Sequence, residues 1–336
     1  MLSVVSRLFS TPPALSRSFG VKRAAQSPAH IRRPAIYALQ PLRHGSHAVS
    51  PLRVVPQRIR KPTYVGVAAG SREEAEALDE VCAVMATEQA REGMRKAGRL
   101  ARLALEMGKK LAVAGVSTEA IDQAVHELIV SHDAYPSPLL YRGFPKSCCT
   151  SLNEVLAHGI PDSRPLEGGD LLNIDVTVYT REGFHGDCSE TLIVAGDVAP
   201  DRLRALEQLQ AVARQAVSEG LQQCGPGKPV AAIGKAVYQY VTREGFDVIP
   251  ELSGHGIGYR FHTEPYIAPT VEDNYPPSVK MVPGMCFTIE PVVSTGLRAY
   301  DTWADDWTMV TQDGSLSAQF EHTVMITESG YEVLTQ

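Results

Sequence analysis

"GGDLLNIDV", Gly168 to Val176, returns later in the chain as "VPGMCFTIEP", Val282 to Pro291. At an offset of 115, Gly169 meets Gly284, Ile174 meets Ile289 and Asp175 meets Glu290. The segments before them repeat as well: Gly115, Ile121, Val125 and Ile129 match Gly227, Ile233, Val237 and Val241 at an offset of 112. Any two helix–helix–strand segments share some spacing, but two blocks at nearly one offset favour a duplication. Each half then supplies helices covering a sheet, and each presents an acid at the same strand position. The expected architecture is a single α/β (α+β) domain with pseudo-two-fold duplicated halves and mostly antiparallel strands.

The helices are legible around these blocks. Residues 71–115 have helical composition, with Gly115 as a stop. Ser117 opens a second helix whose apolar face is Ile121, Val125, Leu128 and Ile129. In the second half, residues 201–224 and 230–245 read as two more helices. From Tyr135 to Val194 the pattern turns to loops and strands.

The net charge of -6 over 336 residues conceals an asymmetry. Residues 1–72 contain 12 Lys+Arg and no acid; the rest carries 20 basic and all 38 acidic residues. An acid-free, Arg-rich opening such as "MLSVVSRLFS" reads as an organelle transit peptide, mitochondrial rather than plastid. The prolines scattered through residues 1–72 predict a disordered leader and linker, followed by a catalytic domain over 73–336. The acidic body argues against nucleic-acid binding. No run of 18 apolar residues exists, so no membrane span is expected. The six cysteines form no CxxC or paired Cys/His spacing, so a zinc-finger or disulfide framework has no support and a reducing compartment is expected.

The stretch "NIDVTVYTREGFHGDCSETLIV", Asn173 to Val194, reads as a hairpin. With its turn on Thr180–Gly183, Asp175 and Asp187 face each other to within one residue. Two carboxylates opposed among Ile174, Val176, Val178 and Leu192 repel unless a cation or proton lies between them. The second half adds Glu290 in "CFTIEPVV", Glu321 in "AQFEHTVMIT" and His255 between glycines in "SGHGIG". Four carboxylates and one imidazole suit a pair of divalent ions rather than a single structural zinc. His158 and His262, in loop-like stretches, are candidate hydrogen-bonding groups beside the metals.

"YRGFPKSCCTSLNEVLAHGIP", "NIDVTV", "HGDCSE", "GHGIG…FHTEP", "FTIEP" and "SAQFEHT", in this order, resemble methionine aminopeptidases of the first type. With the acid-free leader, the likeness is to their mitochondrial branch. The resemblance implies a pita-bread fold of curved antiparallel sheet covered by helices. It implies a metallo-exopeptidase that removes N-terminal methionine from deformylated nascent proteins when the second residue is small, by dimetal–hydroxide hydrolysis in the mitochondrial matrix. Asp175, Asp187, His255, Glu290 and Glu321 match the ligands of two ions (Co, Mn, Fe or Zn), with Asp187 and Glu321 bridging. His158, His262 and Glu290 match catalytic residues, and Tyr141, Phe144, Cys149, Phe261 and Trp307 match the methionine pocket. The partners implied are methionyl peptides and nascent proteins, and the chain is expected to be a monomer; association with ribosome or deformylase is left open. Leu140 stands where bacterial members often carry glycine, and Thr263 where an acid is common.

Two other classes use similar residues. A prolidase relative shares the five ligands but usually carries a folded N-terminal domain. A non-catalytic binding protein of the same fold would normally have lost ligands, and all five are present here.

Overall fold

Helix α1, Glu88–Leu111, starts where the Thr87 hydroxyl accepts the Ala90 amide, and Lys109 and Lys110 complement its C-terminal end. Helical composition begins earlier, at residue 71, but residues 83–87 are extended: Val84 bridges Met285 and the Met85 amide donates to the Gly284 carbonyl. A tertiary strand contact overrides local propensity there. Helix α2, Thr118–Ser131, is capped by Ser117, and Ile121, Val125 and Ile129 are fully buried. The computed structural model describes residues 47–67, 83–271 and 274–336. The transit-peptide reading of the first 46 residues lies outside them.

The first half continues with β1 (Tyr135–Pro136), β2 (Cys149–Leu152), β3 (Val155–Ala157), β4 (Leu171–Tyr179) and β5 (His185–Ile193). β5 runs antiparallel along one edge of β4, and β2 and β1 share the other. The second half begins with helices α3 (Pro200–Leu221) and α4 (Ala231–Arg243), then β6 (Asp247–Val248), β7 (Gly254–Gly256), β8 (Thr263–Ile267) and β9 (Cys286–Ile289). The chain ends with β10 (Val292–Ser294), β11 (Tyr300–Thr302), β12 (Met309–Thr311), β13 (Ser317–Gln319), β14 (His322–Ile326) and β15 (Tyr331–Val333). One antiparallel sheet runs β15-β14-β9-β7-β8; β13-β10-β6 and β11-β12-β3 form two smaller ones.

The duplication is visible in packing as well as in sequence. A Cβ on Gly108 of α1 would lie 3.4 Å from Ile121 of α2 and Ile174 of β4. A Cβ on Gly220 of α3 would lie 3.2 Å from Ile233 of α4 and 3.1 Å from Ile289 of β9. Glycine permits the same close helix–helix–strand approach twice. Gly169 and Gly284, just before the matched strands, both have left-handed backbones at φ +83° and +84°, where a side chain would be strained. Each half has its own apolar core, one around Ile121, Val125 and Ile174, the other around Ile233, Val237 and Ile289. Fully burying each such side chain contributes about 1.5–3 kcal/mol.

The halves meet along a polar seam. The Thr323 hydroxyl donates to the Asp187 carbonyl (2.7 Å) and accepts from the Asp187 amide (3.1 Å). The Glu321 amide donates to the Ser189 carbonyl, and Asn173 Nδ2 to the Gln319 carbonyl, both at 3.0 Å.

Residues 47–67 depart from the expected disorder. They pack on the first half, with Val55, Ile59 and Tyr64 buried. Arg53 pairs with buried Asp122 at 2.7 Å and with Glu119. Lys146, wholly buried, joins Ser50 to Glu119. The prolines shape an extended strap rather than a free linker.

Candidate active site

The first two acids come from the hairpin of β4 and β5, with one correction to its register. Asp175 pairs with Ser189, and Asp187 with Thr177. The aspartates are therefore diagonal neighbours rather than directly opposed. The loop holds five residues, Thr180 to Phe184, because the Thr180 amide donates to the Phe184 carbonyl at 2.9 Å. The added residue shifts the register by one, while both side chains stay on one face, within reach of each other on diagonal positions. Their carboxyls are within hydrogen-bonding reach.

The second half brings its groups to the same point. One ligand atom each from Asp187, His255 and Glu321 lies within 4.8 Å of the others, and all three residues are buried. Glu290 Oε1 is 3.5 Å from His255 Nε2, and Asp187 Oδ2 is 3.7 Å from it. Asp175 and Glu290 occupy the matched positions of the two halves and are only partly exposed. His255 is held by its amide on Thr288 Oγ1 (2.9 Å) and by its Nδ1 against the Gly256 carbonyl (3.1 Å), leaving Nε2 toward the acids.

The electrostatics fit a cation. Burial pushes Asp175 up to about 7, and burial with the charge of Asp175 pushes Glu290 up to about 8. Burial and the neighbouring carboxylates raise Asp187 and Glu321 well above the ordinary range. His255 is pushed down to about 4 by burial, so its ring is neutral and able to ligate. Glu321 Oε1 is buried with no hydrogen-bond partner. An orphaned carboxylate oxygen among three other acids and a neutral imidazole is the donor set of a divalent pair, and the residues fit that group.

Three groups that sequence reading passed over steady the acids. Thr177 Oγ1 donates to Asp187 Oδ1 (2.7 Å), Thr288 Oγ1 to Glu290 Oε1 (2.6 Å), and Gln319 Nε2 lies 3.3 Å from Glu290 Oε2. The signal was available for the threonines. Thr177 is two residues from Asp175, and Thr288 two from Glu290, so each shares a strand face with an acid.

His262 lies against the cluster of acids and imidazole, its ring 4.1 Å from that of His255 and stacked on Tyr141 at 5.0 Å. Its Nδ1 is buried without a partner, and burial holds the ring neutral. His158, left-handed at φ +57°, meets Trp307 edge-on at 5.7 Å and is pushed down to about 4 by burial. The expected pocket residues also converge. Tyr141 packs on Phe261 at 4.9 Å, Phe144 on Trp307 at 5.1 Å, and Cys149 is paired with Asp175 across β2 and β4. Burial keeps the Cys149 thiol protonated, so it lines the site as a soft apolar group.

Two residues complete the wall. His185 is buried, bonded through Nδ1 to the Ser137 hydroxyl (2.8 Å) and stacked on Phe261 at 5.4 Å. Tyr64, from the strap, meets Tyr141 edge-on at 5.0 Å. His322, by contrast, is bonded to the Thr335 hydroxyl at 2.9 Å.

The model of metallopeptidase family M24 matches residues 92–328. Mitochondrial methionine aminopeptidase 1D of Mus musculus is 45% identical over 291 residues, spanning 86% of this chain and 82% of that protein. Methionine aminopeptidase 2 of Mycobacterium tuberculosis is 43% identical over 291 residues, 85% of this chain and 95% of its own. The crystal structure of methionine aminopeptidase from Rickettsia prowazekii superposes with a TM-score of 0.71 at 38% identity, covering 76% of this chain and 100% of that one.

Proposed function

Given that the chain belongs to metallopeptidase family M24, we propose that Asp175, Asp187, His255, Glu290 and Glu321 hold its two divalent ions. The protein is a methionine aminopeptidase of pita-bread fold, a metal-dependent exopeptidase that removes N-terminal methionine. The observation that carries the ligand assignment is the convergence of Asp187, His255 and Glu321 around the orphaned Glu321 Oε1, with Glu290 against His255 and Asp175 against Asp187, from positions up to 146 residues apart.

When bound, two divalent ions such as Co, Mn, Fe or Zn polarise the scissile carbonyl and make a water nucleophilic near neutral pH. The chain's own residues do the rest. Asp187 and Glu321 would hold the ions at the centre of the cluster, with Asp175 from the hairpin side and His255 and Glu290 from the other. Glu290 carries the proton, taking it from the attacking water and passing it toward the leaving amine. Thr288 and Gln319 hold its carboxyl in place for that exchange. His262, neutral and with a free ring nitrogen, faces the side where charge develops on the carbonyl oxygen. His158, on the Trp307 side, contacts the scissile nitrogen. Tyr141, Phe144, Cys149, Phe261 and Trp307 receive the methionine side chain, whose thioether suits an aromatic and thiol surface.

The proposed catalytic unit is residues 73–336 together with the strap of residues 47–67 that packs on it. The acid-free leader, together with mitochondrial relatives, supports action in the mitochondrial matrix on nascent chains after deformylation, with a small second residue. Among the described residues no helix is long and apolar enough to cross a membrane.

The test is hydrolysis by the full chain, reconstituted with Mn, Fe, Co or Zn, of Met-Ala-Ser and Ala-Pro peptides. Release of methionine alone is expected. Cleavage of Ala-Pro alone would place the site in the prolidase class, and silence with every ion would remove the catalytic reading.

A further inference from the structure

We infer that residues 47–67 are a clamp on the methionine pocket and that Tyr64 is a specificity-determining positioning residue, an inference that rests on the pocket assignment above. The pocket loop needs holding. Leu140 and Arg142, on either side of Tyr141, have left-handed backbones at φ +65° and +47°, and neither is glycine. L residues enter that region reluctantly, so the loop keeps this shape only when its surroundings enforce it.

The strap supplies that enforcement at several points. Val55, Ile59 and Val65 pack with Leu139 and Leu140 in one apolar cluster. The Tyr64 ring meets Tyr141 edge-on at 80°, and its hydroxyl donates to the buried Ser137 carbonyl at 2.6 Å. On the far side of the pocket, Arg260 Nη1 donates to Thr63 Oγ1 at 3.1 Å, one residue before Phe261. Thr63 and Tyr64 thus span the two loops that carry the pocket aromatics. Tyr64 also lies 6.4 Å from the His185 ring, which stacks on Phe261. The strap's other end is fixed by the Arg53–Asp122 pair, so the clamp is under the control of a well-anchored segment rather than a loose tail.

Two consequences follow. Losing the Tyr64 ring lets Tyr141 relax, widening the pocket that selects methionine. Any maturation of the leader must also leave the strap attached.

In the full chain, Tyr64→Ala should lower the preference for N-terminal methionine over leucine, measured as the ratio of kcat/KM values, by up to about tenfold, the scale of an aromatic edge contact. Tyr64→Phe keeps the ring and should keep most of that ratio, losing only the bond to Ser137. Melting curves are run beside the kinetics, because a purely structural role lowers the melting temperature without moving the ratio. An unchanged ratio in Tyr64→Ala overturns the clamp, and so does equal loss in Tyr64→Phe. Should Tyr64→Ala fail to fold, Tyr64→Leu carries the same comparison. If the wild-type chain releases no methionine, the functional reading fails instead, which the same assay distinguishes. Sequencing the N-terminus of the protein from its own cells gives an independent check: a start before Ser50 is expected, and a start after Tyr64 overturns the proposal.

Discussion

Replacing Glu321 by glutamine removes one charge from the cluster and keeps its shape. The ligand atoms of Glu321 and Asp187 are no more than 4.8 Å apart. At that distance, with an effective dielectric of about 20, two unit charges repel by about 3.5 kcal/mol. Protonation limits the repulsion in the metal-free protein, since all four acids are shifted upward. A net gain of about 1–3 kcal/mol is left, and Glu321→Gln should melt about 2–5 °C above wild type in chelator at pH 8. An acid whose folded pKa is raised contributes stability at low pH and loses it as pH climbs through the folded value. Metal-free wild type should therefore weaken between roughly pH 4.5 and the values of about 7 for Asp175 and about 8 for Glu290. Glu321→Gln should weaken less. Divalent metal reverses the order: at a hundred times its Kd it stabilises wild type by about 2.7 kcal/mol, while the variant gains far less and loses turnover. Thermal denaturation across pH 5–8.5, with chelator and with Mn, reads all three. A variant that melts below wild type in chelator at pH 8, and rises equally with metal, would refute the reasoning.

Other outcomes follow from the same contacts. His262→Ala should lower kcat by about a hundredfold or more while leaving the metal-induced rise in melting temperature intact, because His262 faces the reaction and not the ions. Gly108→Ala should stabilise by about 0.5–1 kcal/mol through helix propensity, since its Cβ would stand at ordinary contact distance, 3.4 Å. Gly220→Ala, at 3.1 Å from Ile289, should gain less or turn destabilising, and denaturant unfolding of the pair checks the difference. His158, pushed down to about 4, stays neutral in the fold, so its stabilisation is complete above pH 6.5 and is lost as pH falls through 4. The gap in unfolding free energy between wild type and His158→Gln should narrow over that range.

The duplication and the five acid and imidazole groups were legible because both break a local rule. Acids interrupt apolar strands at Asp175 and Glu290, and the glycines before them need left-handed backbones. The hairpin was legible only to within a residue, because the Phe184 carbonyl closes its loop and no local residue pattern announces that bond. Residues 83–87 were assigned to α1 for a similar reason: propensity cannot see that Val84 pairs with Met285, some 200 residues away. The strap was hidden most deeply. Its prolines and arginines resemble those of the leader before it, and what orders them lies elsewhere, in Glu119, Asp122, Ser137 and Tyr141. A partner so distant leaves no trace in the composition of the segment it fixes.

The polar seam between the halves has a kinetic consequence. A calcium loop or a zinc finger gathers its ligands locally, so the ion can nucleate the structure around it. Here Asp175 and Asp187 come from one half, and His255, Glu290 and Glu321 from the other; they meet only where the halves dock, beside the Asp187–Thr323 and Glu321–Ser189 contacts. The ions therefore arrive at a finished fold. Without the ions, protons take their place on acids that burial shifts upward, while Thr177, Thr288 and Gln319 hold Asp187 and Glu290 in position. Metal should therefore slow the unfolding of this protein and leave its folding rate unchanged, which denaturant-jump kinetics with and without Mn would check.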